Sequence, residues 1–232
     1  MTRNAISTMR GRWVNLAIML LLVSTPASAA SKRIAVLVWD GVLTSDITAP
    51  IEVFGAASKK AWFSSYEITV VAVGKNTAIT TEEGLRVVAD AVIADIKDTD
   101  VLIVPSAYDM KPLLTNADLV GFIGATAKRA SWIASNCSGA FLLAEAGILD
   151  DKNATTWVGG EKELQAAYPK VKVQVNQNVV IDGNVMTSNG GVVSYQAALL
   201  LLEKLSSHQF MMEVADAIQF GRAQQGNLST SR

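Results

Sequence analysis

The sequence predicts an α/β domain, a three-layer sandwich with a mainly parallel central sheet. Three observations carry that expectation. Short continuous apolar runs at 33–38 and 101–104, each ended by a turn residue, have the form of parallel strands buried on both faces. Segments of helical period at 44–57 and 114–128 alternate with those runs, and such alternation builds a sheet with helices on both sides. Finally, the lone cysteine, Cys137, lies where the apolar run 132–136 gives way to Ser138, Gly139 and Ala140 and then to a helical stretch at 141–147. That is strand, sharp turn and helix with a thiol at the apex, the form of a nucleophile elbow.

The amino terminus stands apart from this pattern. Arg3, Arg10 and Arg12 form a positive region, 13–23 is apolar, and Ala27-Ser28-Ala29 has the small-x-small form of a cleavage site, so 1–29 reads as a secretory signal peptide. Its apolar run of about eleven residues is short beside the roughly 20 needed to span a hydrocarbon core, so no stable membrane span is expected after cleavage. No cysteine follows for lipid attachment, and the arginines are not paired as a twin-arginine signal requires. The expected localisation is secreted or periplasmic.

The remainder carries 17 basic and 21 acidic residues, a formal charge of −4, which gives no reason to expect a nucleic-acid partner. With half of the chain hydrophobic, 30–223 is long enough for one domain with a substantial core, followed by a polar tail at 224–232.

In order along the domain, strand 33–38 turns at Asp40-Gly41 into helix 44–57, with Ser45 as N-cap. Strand 67–73 ends at Gly74, and 79–81 with 86–88 form a hairpin around Glu83-Gly84. Strand 101–104 stops at Pro105, and helix 114–128 returns the chain to strand 132–136. Beyond Cys137 the pattern predicts a short strand at 154–157, helix 160–167, and a hairpin of 171–175 with 179–181 closed near 176–178. Strand 185–188 and helices 190–205 and 208–222 complete it.

In an exporting compartment a single cysteine is either an intermolecular crosslink or a free thiol kept for chemistry, and the elbow favours the second. Backbone N–H groups after the turn would face the sulfur, and the positive end of the following helix would lower the thiol pKa from about 8.5.

Several motifs together resemble the ThiJ/PfpI superfamily, the class I glutamine amidotransferase-like fold. They are V-L-V-W-D-G-V-L-T-S-D-I-T-A-P-I-E-V-F (36–54), S-N-C-S-G-A-F-L-L-A-E-A-G-I-L (135–149), A-T-T (154–156) and M-T-S-N-G-G (186–191). The order and spacing of the motifs cover nearly all of the domain and imply a flavodoxin-like sheet. The form D-x-x-x-P-x-E-V-F followed by C-S-G is most similar to the isonitrile hydratase branch and to the sensor domains of AraC-type regulators. That resemblance implies a catalytic set of Cys137, Asp46 and Ser138 acting on a small-molecule substrate, the hydration of R–N≡C to an N-substituted formamide, and a homodimer.

Two departures from the pattern bear on chemistry. Where relatives read A-T-T-H, this chain has Trp157 after Ala154-Thr155-Thr156, so a Cys-His-acid peptidase is a poor reading. The single histidine, His208, opens the last helix and is expected at the surface. The expected P-G-G is Pro105-Ser106-Ala107, which keeps backbone donors and adds a hydroxyl. Ser106, Ala107, Gly139 and Trp157 are therefore the candidate oxyanion or substrate contacts.

Asp46 has two readings. In the first turn of a helix it is favourable with the helix dipole alone; set against Cys137 it must be protonated to donate a hydrogen bond, and burial would raise its pKa. Glu52 reads as a packing or ion-pair residue, and Trp157 either walls a pocket or fills the core. One cysteine and one histidine build no zinc site, no phosphate loop occurs, and Gly190-Gly191 is too short for a dinucleotide fingerprint, so no metal and no cofactor are expected. Three functions stay open: a cysteine-dependent enzyme, a non-catalytic binding module, and a protein that uses Cys137 as an oxidisable thiol.

Overall fold

The computed structural model describes Met1, 31–61 and 65–225; the signal-peptide reading of 1–29 and most of the tail reading of 224–232 fall outside the described residues. The chain opens with β1 (Lys32–Val38), whose last five residues are buried, then α1 (Thr44–Lys60) and β2 (Tyr66–Ala72). A two-stranded hairpin of β3 (Ala78–Thr80) and β4 (Arg86–Val88) precedes the short β5 (Ala91–Val92), a 3-10 turn at Ile93–Asp95 and β6 (Val101–Val104). Next come α2 (Lys111–Leu114), α3 (Ala117–Ala127), β7 (Trp132–Asn136) and α4 (Gly139–Glu145). The rest is β8 (Asn153–Ala154), α5 (Glu161–Ala167), β9 (Lys172–Val173), β10 (Val179–Asp182), β11 (Val185–Ser188), α6 (Val193–Leu205), α7 (His208–Ala217) and α8 (Phe220–Gln225).

Seven strands form one sheet in the order β10-β11-β7-β6-β1-β2-β5, parallel throughout except for the antiparallel edge strand β10. Helices α1, α6 and α7 pack together on one layer and α2, α3 and α4 on the other, so the predicted three-layer α/β sandwich is what forms. Its centre is apolar on both faces: all of β6 is buried, as are Ile34 to Val38.

Three local expectations are corrected. Ser45 does not cap α1: Leu43 holds the N-cap position, and Glu83 accepts from the Thr44 N–H at 2.9 Å and from its hydroxyl. A carboxylate reaching in from the hairpin thus satisfies a donor that the local sequence leaves open. The hairpin assigned to 171–175 with 179–181 does not form. Instead β9 pairs in parallel with β8, while β10 pairs with β11 around Gly183, whose φ of 63° suits a tight turn. The last predicted helix breaks into α7 and α8 at Gln219, φ 60°.

Between β1 and β6 the strand order reverses direction, and in such sheets the crevice at the carboxyl ends of the strands is where ligands sit. The segments after β1, β6, β7 and β11 converge there. They carry Asp46, Ser106, Cys137 and Gly190 respectively.

Candidate active site

Cys137 joins β7 to α4 with φ 51°, a left-handed conformation that costs a side-chain-bearing residue on the order of 1–3 kcal/mol. Surrounding bonds hold it there. Its N–H donates to the Ser188 carbonyl at 2.9 Å and its carbonyl accepts from the Thr156 hydroxyl at 2.9 Å. Space is tight on both sides of the turn. A Cβ on Gly139 would lie 2.7 Å from the Pro105 carbonyl oxygen, and one on Gly190, φ 76°, would overlap the Cys137 Cβ. Only glycine fits at either point.

The sulfur opens onto a cleft of about 1020 Å³ with mostly apolar walls, among them Leu43, Met110, Phe141, Trp157 and Val193. Trp157 stacks on Phe141 with ring centroids 5.2 Å apart, and Phe141 meets the edge of Tyr168 at 6.0 Å. Of the two roles open for Trp157, it therefore walls the cleft. Lys111 and Glu163 add charge to the lining.

Asp46 sits behind the turn with no exposed surface. Its Oδ1 accepts from the Gly191 N–H at 3.0 Å and the Ser194 hydroxyl at 2.8 Å, while its Oδ2 accepts from the Ser106 hydroxyl. Asn136 fixes the Asp46 backbone, donating to its carbonyl at 3.0 Å, and is itself held by the Ser188 hydroxyl at 2.7 Å. Burial pushes the Asp46 carboxyl above the usual carboxylate range, and these donors only partly oppose it.

The Cys137 thiol is also pushed up, first by burial and then by the negative charge of Asp46; the Ser106 hydroxyl and the Ser138 N–H and hydroxyl pull the other way. This corrects the expectation that the helix end would lower it. Burial strips solvation from the thiolate, and the nearby charge of Asp46 adds to the effect.

Among the residues singled out from sequence, Cys137, Ser138, Ala107 and Trp157 line the cleft. Ser138 donates to the Ala107 carbonyl at 3.0 Å, which ties the turn to the segment after β6. Asp46 and Ser106 lie beneath the lining, wholly buried, and Gly139 packs under the turn. Glu52 is elsewhere, accepting from the Tyr195 hydroxyl, and His208 pairs with Glu203 at 3.2 Å with its side chain 70% exposed. Sequence reasoning missed the roles of Thr156, Gly190 and Gly191, although all three lie inside motifs it had marked. The part of Asn136 was missed in the same way, inside the marked motif at 135–149, while Ser194, whose part is set by contacts between distant segments, gave no signal. Among the described residues no group of three or more His, Cys, Asp or Glu side chains could hold a metal, and no helix is long and apolar enough to cross a membrane.

A family model described as the DJ-1/PfpI family matches residues 32–204. The chain belongs to the DJ-1/PfpI family. The DJ-1/PfpI chain is 28% identical over 174 residues to the isonitrile hydratase of Pseudomonas putida, covering 75% of this chain and 72% of that one. It is 27% identical over 144 residues to the HTH-type transcriptional regulator CdhR of Pseudomonas aeruginosa, covering 62% of this chain but only 42% of the regulator. A crystal structure of a ThiJ/PfpI family protein from Pseudomonas syringae superposes with a TM-score of 0.74 at 24% identity, over 83% of this chain and 76% of that one. The family's flavodoxin-like α/β fold accounts for the parallel sheet.

Proposed function

We propose that the protein is an exported, cysteine-dependent enzyme that hydrates a small electrophilic carbon, with isonitriles as the substrate class. The observation that carries this reading is the placement of the Cys137 thiol at the apex of a strained turn, open to an apolar cleft and backed by a buried acid. In the reaction, Cys137 Sγ bonds to the terminal carbon of R–N≡C, and the proton held by the Cys137–Asp46 pair goes to the same carbon, giving R–N=CH–S–Cys. Water then adds to that carbon and a proton goes to nitrogen. The C–S bond breaks, releasing R–NH–CHO and the thiol. The balance needs no cofactor. Apolar walls favour an uncharged R group.

The test is turnover of an isonitrile panel by the chain lacking 1–29, with the formamide read by mass spectrometry. Cys137→Ala is expected to abolish product, and Asp46→Asn to reduce it on the order of a hundredfold or more. Product formation retained in both variants would sink the reading. N-terminal sequencing of the exported protein tests cleavage after Ala29, and sedimentation tests the homodimer that the family resemblance implies.

The raised thiol pKa favours a second reading, a non-catalytic small-molecule-binding module. Likeness to part of a transcriptional regulator fits it. Under that reading both variants keep ligand affinity by calorimetry, and no isonitrile is turned over.

A further inference from the structure

Ser106 is wholly buried and lies off the cleft lining, so it meets no substrate from where it sits. Its hydroxyl donates to Asp46 Oδ2 and also faces the sulfur of Cys137. Asp46 Oδ1 is already occupied by Gly191 and Ser194, and no hydrogen bond joins Asp46 to Cys137 directly; its charge reaches the sulfur through space. Gly190 fills the remaining side, where a Cβ would stand 3.0 Å from Asp46 Oδ1 and 3.0 Å from the Cys137 nitrogen. Ser106 thus bonds Asp46 directly and is also the foremost of the groups that draw the Cys137 thiol pKa down, which sets its hydroxyl beside both acids.

A serine hydroxyl accepts one hydrogen bond while donating another, and it can reverse the direction of both. We infer that Ser106 bridges Asp46 and Cys137 and passes a proton between them, so that the pair shares a single negative charge. In the forward direction the S–H bond breaks and its proton goes to Ser106 Oγ, while the Ser106 O–H proton goes to Asp46 Oδ2. The result is thiolate, intact serine and carboxylic acid, with charge unchanged and no oxidant or reductant involved. In the reverse direction the Ser106 O–H proton returns to the sulfur and the Asp46 proton replaces it on Ser106 Oγ. Two acids in one buried site cannot both ionise readily, and sharing one charge lets a thiolate form in spite of burial. The inference rests on Cys137 being the reacting thiol, but its test uses no isonitrile, so failure of the hydratase reading leaves it standing.

The experiment follows two signals across pH in the chain lacking 1–29: thiolate ultraviolet absorbance, backed by the iodoacetamide rate, and the infrared band of a protonated carboxyl. Asp46→Asn assigns the band. The wild type is expected to show a pH interval in which thiolate and protonated Asp46 coexist. In Ser106→Ala and Ser106→Gly the alkylation rate in that interval should fall about tenfold, equivalent to one pKa unit, and Ser106→Thr should restore it. A wild type with no such interval overturns the inference, as does a folded Ser106→Ala that matches wild type or a Ser106→Thr that behaves like Ser106→Ala. If the alanine and glycine variants fail to fold, the wild-type and threonine signals still decide it.

Discussion

Gly190 lies so close to Cys137 that a single methyl group on it would overlap the cysteine Cβ. The loop after β11 is thereby pressed against the turn after β7, and Gly190 holds a left-handed φ of 76° that favours glycine. Gly190→Ala is expected to destabilise the fold by about 2–4 kcal/mol, since overlap and backbone strain act together. Urea unfolding measures it. A loss below about 0.5 kcal/mol, the range of an ordinary surface change, would mean the two loops are not locked.

Asp46→Asn should change how stability depends on pH. Burial raises the folded-state pKa of Asp46 above its unfolded value near 3.9, so its contribution is fully present below that value and is lost as pH rises through the folded pKa. The Tm of Asp46→Asn relative to wild type is therefore expected to climb as pH goes from about 4 upward. A difference that stays flat with pH would contradict a raised Asp46.

The same substitution removes a negative charge that holds the thiol up. Iodoacetamide rates should show the Cys137 pKa lower in Asp46→Asn than in wild type, with a single titration step. An upward shift would show that Asp46 acts on the sulfur mainly as a hydrogen-bond partner, not as a charge.

Thr156 anchors the strained turn through its hydroxyl on the Cys137 carbonyl. Thr156→Val keeps the shape and removes that donor, and is expected to reduce stability by about 1–2 kcal/mol while broadening the Cys137 amide resonance. Unchanged thermal unfolding would place the anchor elsewhere.

Trp157 forms a wall of the cleft by stacking on Phe141. Trp157→Ala should raise KM for an aryl substrate about tenfold and leave a methyl analogue little changed, because only the larger group contacts that face. Equal effects on both substrates would assign Trp157 to turn structure alone.

Much of the fold was legible locally. The apolar runs that became β1 and β6 were readable because buried parallel strands need uninterrupted apolar residues, and the turn at Cys137 because small residues must follow it. The N-cap of α1 was not, since Glu83 arrives from a hairpin 39 residues away in sequence. The partners of β9 and β10 were misread for a related reason: strand pairing follows which edges are free, which no window of sequence contains.

The sequence by itself determined the fold class, the cysteine turn and the presence of Asp46 and Ser106 as candidates. It also led to the wrong direction for the thiol pKa, because a dipole argument uses only neighbours in the chain. Only the tertiary structure decided that the Ser106 hydroxyl bonds Asp46 beside Cys137, that Trp157 faces the cleft and that both acids are pushed up. The physical reason is common to all three: solvation and hydrogen-bond geometry depend on which segments the sheet brings together at the ends of β1, β6, β7 and β11, and that convergence exists only once the strands have paired.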